Sequence, residues 1–312
     1  MKTNKLLTAL LLSLVCFGAH AQQDPMYTHY MYNTLSINPA YAGSRDALTV
    51  SALHRSQWLD LKGAPMTQTL TMHAPIASKN IGLGLAASND KIGPINNTAI
   101  SGSFAYMIHL NKKSKLSLGL SGGINILQAR LSSLQLDNQN DPSFQNDIRN
   151  RVTPSVGFGI YYSRERFYAG VSAPNLLENK YYETTQPNGT VTASNANRHY
   201  FFIAGAVFNL TNNLAFKPTT LVKVTMGAPI QADLTASFII MKRLLLGGMF
   251  RTGDAVGVLV GFDISQQFHV GYSYDWSYGF RTPTYNKGSH ELMLRYDFIF
   301  NSKQQIQSPR YF

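Results

Sequence analysis

The chain has 312 residues, 44% hydrophobic and only 14% charged, with a formal net charge of +11. An ordinary soluble domain carries roughly a quarter charged residues. Beyond the first twenty-one positions no apolar run approaches the roughly twenty residues of a membrane-spanning helix, which excludes a helical membrane protein.

The chain opens with Lys2 and Lys5 ahead of the apolar run LLTALLLSLVCFG and the small-residue site Ala19-His20-Ala21, the pattern of a secretory signal cleaved before Gln22. Val15 and Ser13 around Cys16 fit a lipoprotein signal poorly. Cys16 is the one cysteine and leaves with the signal, so neither a disulfide nor thiol chemistry is expected of the mature chain. Loss of Lys2 and Lys5 lowers the charge from +11 to +9. The expected organisation is a signal peptide at 1–21, a periplasmic N-terminal segment or plug at 22–46, a barrel at 47–301 and a tail at 302–312.

From residue 47 onward the sequence alternates. Ile81, Leu83 and Leu85 share one face against Gly82, Gly84 and Ala86. Leu116, Leu118, Leu120, Ile124 and Ile126 oppose Ser117, Gly119, Ser121 and Asn125. Phe268, Val270, Tyr272, Tyr274 and Trp276 oppose His269, Gly271, Ser273 and Asp275. Period two places each set on one face of a pleated strand. Strands are predicted near 47–57, 65–75, 80–89, 97–110, 115–128, 152–163, 166–173, 198–210, 214–226, 230–240, 243–251, 255–264, 267–276 and 288–300, about fourteen in all.

An even count, 17 Tyr, 17 Phe and 24 Gly, with apolar side chains on one face and small or polar ones on the other, describe an all-β fold: a transmembrane antiparallel β-barrel of the outer membrane. From the second strand on, every other link is short (PIASKN, NKKS, RE, TNN, MKR, SQ), whereas the intervening ones include long polar segments. Short periplasmic turns and longer outer loops account for this asymmetry and place both chain ends in the periplasm. A soluble β-sandwich also alternates, but low charge and the aromatic strand end Tyr272, Tyr274 and Trp276 argue against it. Inward positions carry both signs: Arg55, Lys217, Lys223, Asp233, Arg251, Asp263, Asp275, Glu291, Arg295 and Asp297. They form a polar network filling the interior, or line a water-filled pore.

Enzyme motifs are weak. Gly119-Leu-Ser121-Gly-Gly123 matches G-x-S-x-G, but the hydrolase motif needs a strand-to-helix elbow, and here it falls within a regular strand. Histidines 29, 54, 73, 109, 199, 269 and 290 are dispersed, without metal-ligand spacing. The loop with Asp137, Asp141 and Asp147 lacks the glycine and terminal glutamate of a calcium hand. No cofactor or metal is expected. With no clustered basic stripe, the positive charge suits anionic lipid headgroups of the outer membrane rather than nucleic acid.

Two sets of blocks carry a resemblance. QQDPMYTHYMYNTLSINPAYAGS is followed by RSQW and GAPMTQTLT. Then NIGLGLAASNDKIGP, ERFYAGVSAPNLL, FKPTTLVKVTMGAPIQADLTASF, HVGYSYDW, HELMLRYDF and SPRYF follow in order over nearly the whole mature chain. Together they resemble the PorP/SprF family of outer-membrane proteins of the type IX secretion system of Bacteroidota. The resemblance implies a non-enzymatic barrel that supports secretion, or holds at the cell surface a secreted protein, such as an adhesin of gliding motility, through its C-terminal sorting domain. It also implies partners among the translocon, or the periplasmic ring and peptidoglycan-binding lipoproteins.

The opening segment then becomes the region of interest. Pro39 fixes the backbone and Gly43 permits a tight turn before the first strand, while Tyr27, Tyr30, Tyr32 and Tyr41 tuck into the barrel mouth or meet a partner. Tyr27, Tyr30, Asn38, Pro39, Tyr41 and Gly43 are the candidate plug or partner contacts. Arg55, Asp233, Arg251, Asp275, Glu291, Arg295 and Asp297 are the candidate lumen network, and Trp58 closes the first strand at the outer rim. The alternative function is a diffusion channel or hydrophobic-solute transporter; a hydrolase using Ser121 ranks third.

Overall fold

A computed structural model describes residues 25–76, 80–134, 147–177, 180–185, 191–195, 198–226, 228–278 and 286–299. The expected signal at 1–21 and tail at 302–312 lie outside them. Fourteen strands form one closed antiparallel barrel. They are β1 (Leu48–Ser56), β2 (Met66–Ile76), β3 (Ile81–Ile92), β4 (Ile95–Asn111), β5 (Ser114–Ala129), β6 (Ile148–Arg164) and β7 (Phe167–Ala173). There follow β8 (His199–Ala206, resuming at Phe208–Asn209), β9 (Leu214–Thr225), β10 (Gln231–Ile240), β11 (Leu244–Arg251), β12 (Ala255–Asp263), β13 (Phe268–Ser277) and β14 (Ser289–Phe298). Each pairs with its sequence neighbours, and β1 pairs with β14 from Leu48↔Phe298 to Ser56↔His290, which closes the sheet. Closure leaves no strand edge running round the wall, the condition for crossing lipid with strands.

The alternation read from the sequence is the inside–outside alternation of the wall. Along β2, Thr67, Thr69, Thr71 and His73 are buried while Met66, Leu70 and Met72 are exposed. Leu85 and Leu120 are more than half exposed on the outer face. In a solvated protein such faces would be a liability; in a bilayer they are the contact with hydrocarbon.

Three details differ from the sequence reading. A separate hairpin, Lys180–Thr185 paired with Val191–Asn195, lies in what read as a polar loop. The β3–β4 link is a two-residue turn at Gly93-Pro94 rather than the seven residues 90–96 left between the predicted strands, and Gly93 takes a positive φ of 55° there. β6 starts at Ile148, four residues earlier than expected, because its first residues continue the ladder on β5 across a bulge at Leu127/Ala129. At one end of the barrel all links are two to four residues long (77–80, 112–113, 165–166, 210–213, 241–243, 264–267). That end is the periplasmic one by the barrel rule.

Residues 25–46, expected on the periplasmic side or as a plug, run through the interior of the barrel. Met26, Tyr27, Tyr30, Met31, Tyr32, Leu35, Ile37, Ala40 and Tyr41 are all buried in one cluster with wall residues Leu53, Tyr161, Tyr168, Leu221 and Met293. Burial of one such large side chain stabilises by about 1.5–3 kcal/mol. Two short 3-10 turns, Thr34–Ser36 and Pro39–Tyr41, compact the segment, and Thr34, Leu35, Pro39, Ala40 and Tyr41 in them are buried.

Candidate functional site

The lumen and its internal segment form the site. Starting from the outer half, Thr28 and His29 meet a cluster of three wall charges. Arg55 near the end of β1, Asp275 on β13 and Glu291 on β14 share one face, because Arg55 is registered with Glu291, and Glu291 with Ser273. Arg55 Nη1 lies 2.7 Å from Asp275 Oδ2 and 3.2 Å from Glu291 Oε2. Glu291 accepts the backbone N–H groups of Thr28 (2.9 Å) and His29 (2.6 Å), and Thr28 Oγ1 donates to Asp275 at 2.7 Å. Charges so placed are tolerable only because each meets an opposite charge or a hydrogen bond.

A second pair stands beside it. Asp233 on β10 is registered with Arg251, the last residue of β11. Arg251 donates to both Asp233 oxygens, at 2.9 Å from Nε and 2.7 Å from Nη2, the two-pronged geometry that fits guanidinium to carboxylate. The same Nη2 reaches the Tyr27 carbonyl at 3.4 Å. Tyr27 accepts from Thr69 Oγ1 at 3.0 Å, and the Tyr30 hydroxyl meets Thr219 at 2.9 Å.

Nearer the short-turn end the Tyr32 ring has two cations against it, Lys217 Nζ and Arg295 Cζ, each 4.9 Å from its centroid. Below it Arg45 binds Asp297 twice, at 3.2 and 2.8 Å, and Thr49 donates to the same carboxylate at 2.7 Å.

The segment approaches the wall where side chains are missing. Asn38 caps the turn Pro39–Tyr41 by accepting the Ala40 N–H at 2.9 Å and donates to the Ile160 carbonyl at 3.1 Å. A methyl group on Gly159 would collide with Asn38, and one on Gly119 with the backbone of Pro39 and Ala40. Gly43, at φ +70°, turns the chain toward β1 and donates to His73 Nδ1 at 3.2 Å. Tyr41 sits edge-on to Tyr161, centroids 5.3 Å apart.

Among the predicted network residues the direct ion pairs are Arg55 with Asp275 and Glu291, Arg251 with Asp233, and, at 3.9 Å, Arg295 with Asp297. Lys217 and Lys223 are buried in the lumen, and Asp263 lies 2.6 Å from His269 Nδ1. All six segment candidates, Tyr27, Tyr30, Asn38, Pro39, Tyr41 and Gly43, touch or approach the wall. Sequence reasoning missed Thr28, His29 and Arg45 as their partners, since a segment without periodicity gives no signal of which side chain faces which wall position. Ser121 lies mid-strand in β5, paired to Ser103 and Gly157. Trp58 lies past the end of β1, in a loop whose Leu59 N–H donates to the Gly288 carbonyl, and has a positive φ of 47°. Among the described residues no three His, Cys, Asp or Glu side chains are grouped to hold a metal ion.

Residues 19–296 match the family described as type IX secretion system membrane protein PorP/SprF. The chain belongs to that family. A PorP/SprF barrel is an outer-membrane protein and a membrane component of type IX secretion, and this one closes with fourteen strands. No curated protein is similar enough in sequence to count as a relative. Solved structures similar to it include the CymD monoaromatic hydrocarbon channel, at 9% identity and TM-score 0.48 over 90% of this chain and 95% of that one. A Pseudomonas aeruginosa FadL homologue shares 11% identity, TM-score 0.47, over 85% and 94%. The outer membrane protein Omp33 of Acinetobacter baumannii shares 10% identity, TM-score 0.43, over 82% and 100%.

Proposed function

We propose that this barrel is a non-enzymatic support of type IX secretion, which holds or assists a secreted protein through its C-terminal sorting domain. Membership of the PorP/SprF family supports the export role. The observation that carries the choice against a diffusion channel is the occupied lumen: residues 26–43 are almost all buried there and are tied to strands on every side. A solute path needs free cross-section, whereas a docking component needs a rigid wall and accessible ends. On this reading the internal segment is a plug, and partner contact falls to the outer loops and periplasmic turns.

The test is a pull-down of the tagged protein from its native host in mild detergent, with mass spectrometry of what accompanies it. Recovery of a secreted protein that is lost when its C-terminal domain is removed supports the anchoring role, and recovery of periplasmic ring or peptidoglycan-binding lipoproteins supports the machinery role. A barrel recovered alone that conducts solutes in a planar bilayer would overturn both.

A further inference from the structure

We propose that the short-turn end of the wall from β4 to β7 is a binding site for an anionic phospholipid of the inner leaflet of the outer membrane. Strand register builds it. Asn111 is paired with Ser114, Ser114 with Arg164, and Arg164 with Phe167, so the turn Lys112-Lys113 lies beside the turn Glu165-Arg166. Lys112, Lys113, Arg164 and Arg166 are all exposed. Against these four cations stand two carboxylates, of which Asp46 is already taken by Lys115 at 3.2 Å and Glu165 is half-buried. A concentrated, accessible positive charge remains.

What lies next to the charge identifies the ligand. The lipid-facing column of β6 runs Val156, Phe158, Ile160, Tyr162 and then Arg164, so the guanidinium ends an apolar column. Tyr162 and the exposed Phe167 form a ring pair with centroids 6.1 Å apart, and Leu110 on β4 is more than half exposed. Apolar surface therefore reaches the turns themselves, and turns of two residues give the cations no stalk on which to stand clear of the bilayer. The cations sit at headgroup depth with hydrocarbon contacts directly above, which suits a phosphodiester with acyl chains better than the acidic face of a soluble protein. Arginine forks and lysine ammonium groups are the usual donors to phosphate oxygens. The turn Met241-Lys242-Arg243 offers a built-in comparison: its neighbouring short turns, 210–213 and 264–267, carry no charge, so its two cations stand alone.

The experiment places the purified barrel in nanodiscs of phosphatidylcholine with increasing phosphatidylglycerol and counts retained lipid by native mass spectrometry. Phosphatidylglycerol is expected to be retained preferentially, and each removed cation to lower its retention about fivefold. Lys112→Ala with Lys113→Ala, and separately Arg164→Gln with Arg166→Gln, should therefore lower it more than tenfold, and Lys242→Ala with Arg243→Ala far less. Folding of each variant is checked by its heat-modifiable gel mobility, and high salt applied to the unaltered protein should strip the same lipid. Equal retention of both lipids, insensitivity to salt, or site variants indistinguishable from the 242/243 control would overturn the proposal. So would capture of an acidic polypeptide by these cations with lipid retention unchanged.

Discussion

Glu291 of the barrel wall grips His29 of the internal segment at two points, accepting its backbone N–H at 2.6 Å and meeting its ring Nδ1 at 2.8 Å. Both side chains are fully buried. With the Thr28 N–H and Arg55 also on this carboxylate, one wall residue fastens the segment's first described turn. Each hydrogen bond to a charged group contributes about 1.5–3 kcal/mol. Glu291→Gln keeps the shape but removes the charge and one acceptor, so the segment should loosen at this end. In planar bilayers the variant is expected to show brief openings where the unaltered protein is quiet; equal silence would count against a fastening role.

Arg251 and Asp233 make the second fastening, both with fully buried side chains. Removing one partner strands a charge, which costs about 3–5 kcal/mol, whereas replacing both by apolar groups of similar size is often neutral. Arg251→Met should lower the temperature at which the heat-modifiable band unfolds, and adding Asp233→Leu should restore most of the loss. A double variant as unstable as the single one would show that the pair acts through Tyr27, whose carbonyl Arg251 also reaches.

Two glycines on opposite faces of the wall should respond differently. Gly159 faces the lumen against Asn38, and Gly248 faces lipid, where an added methyl would meet nothing nearer than the Gly257 carbonyl at 3.8 Å. Gly159→Leu is therefore expected to displace the turn Pro39–Tyr41 and expose the segment to added protease, while Gly248→Ala leaves the digestion pattern unchanged. Equal resistance of both variants would mean that the segment is not seated by this close approach.

The wall was legible in the sequence because a barrel strand repeats every two residues over its whole length. Parity alone assigns Arg55, Asp275 and Glu291 to the interior, and all three are buried there. Parity, however, gives a face and not a partner. Arg55 meets residues 220 and 236 positions away, and which of the inward charges pair depends on strand register, set by turn lengths such as the two-residue link at Gly93-Pro94. The internal segment was less legible still. Its aromatics suggested burial, but the grip on Thr28 and His29 leaves no periodic trace.

Removing the segment tests the occupied lumen directly. Deletion of residues 26–45, which removes Arg45 with the segment, leaves every strand intact, and the ladder of β1 with β2 and β14 does not involve it. The ten inward charges read from the sequence comprise five cations (Arg55, Lys217, Lys223, Arg251, Arg295) and five carboxylates (Asp233, Asp263, Asp275, Glu291, Asp297). A lumen so balanced has no strong field of either sign, so the opened barrel should conduct with little preference between cations and anions. The expected result is a folded, heat-modifiable barrel with steady conductance and a reversal potential near zero in a salt gradient. A folded barrel that still does not conduct would place the obstruction elsewhere. A deletion that abolishes folding is distinguished by the Gly159→Leu variant, which displaces the segment while leaving it in the chain.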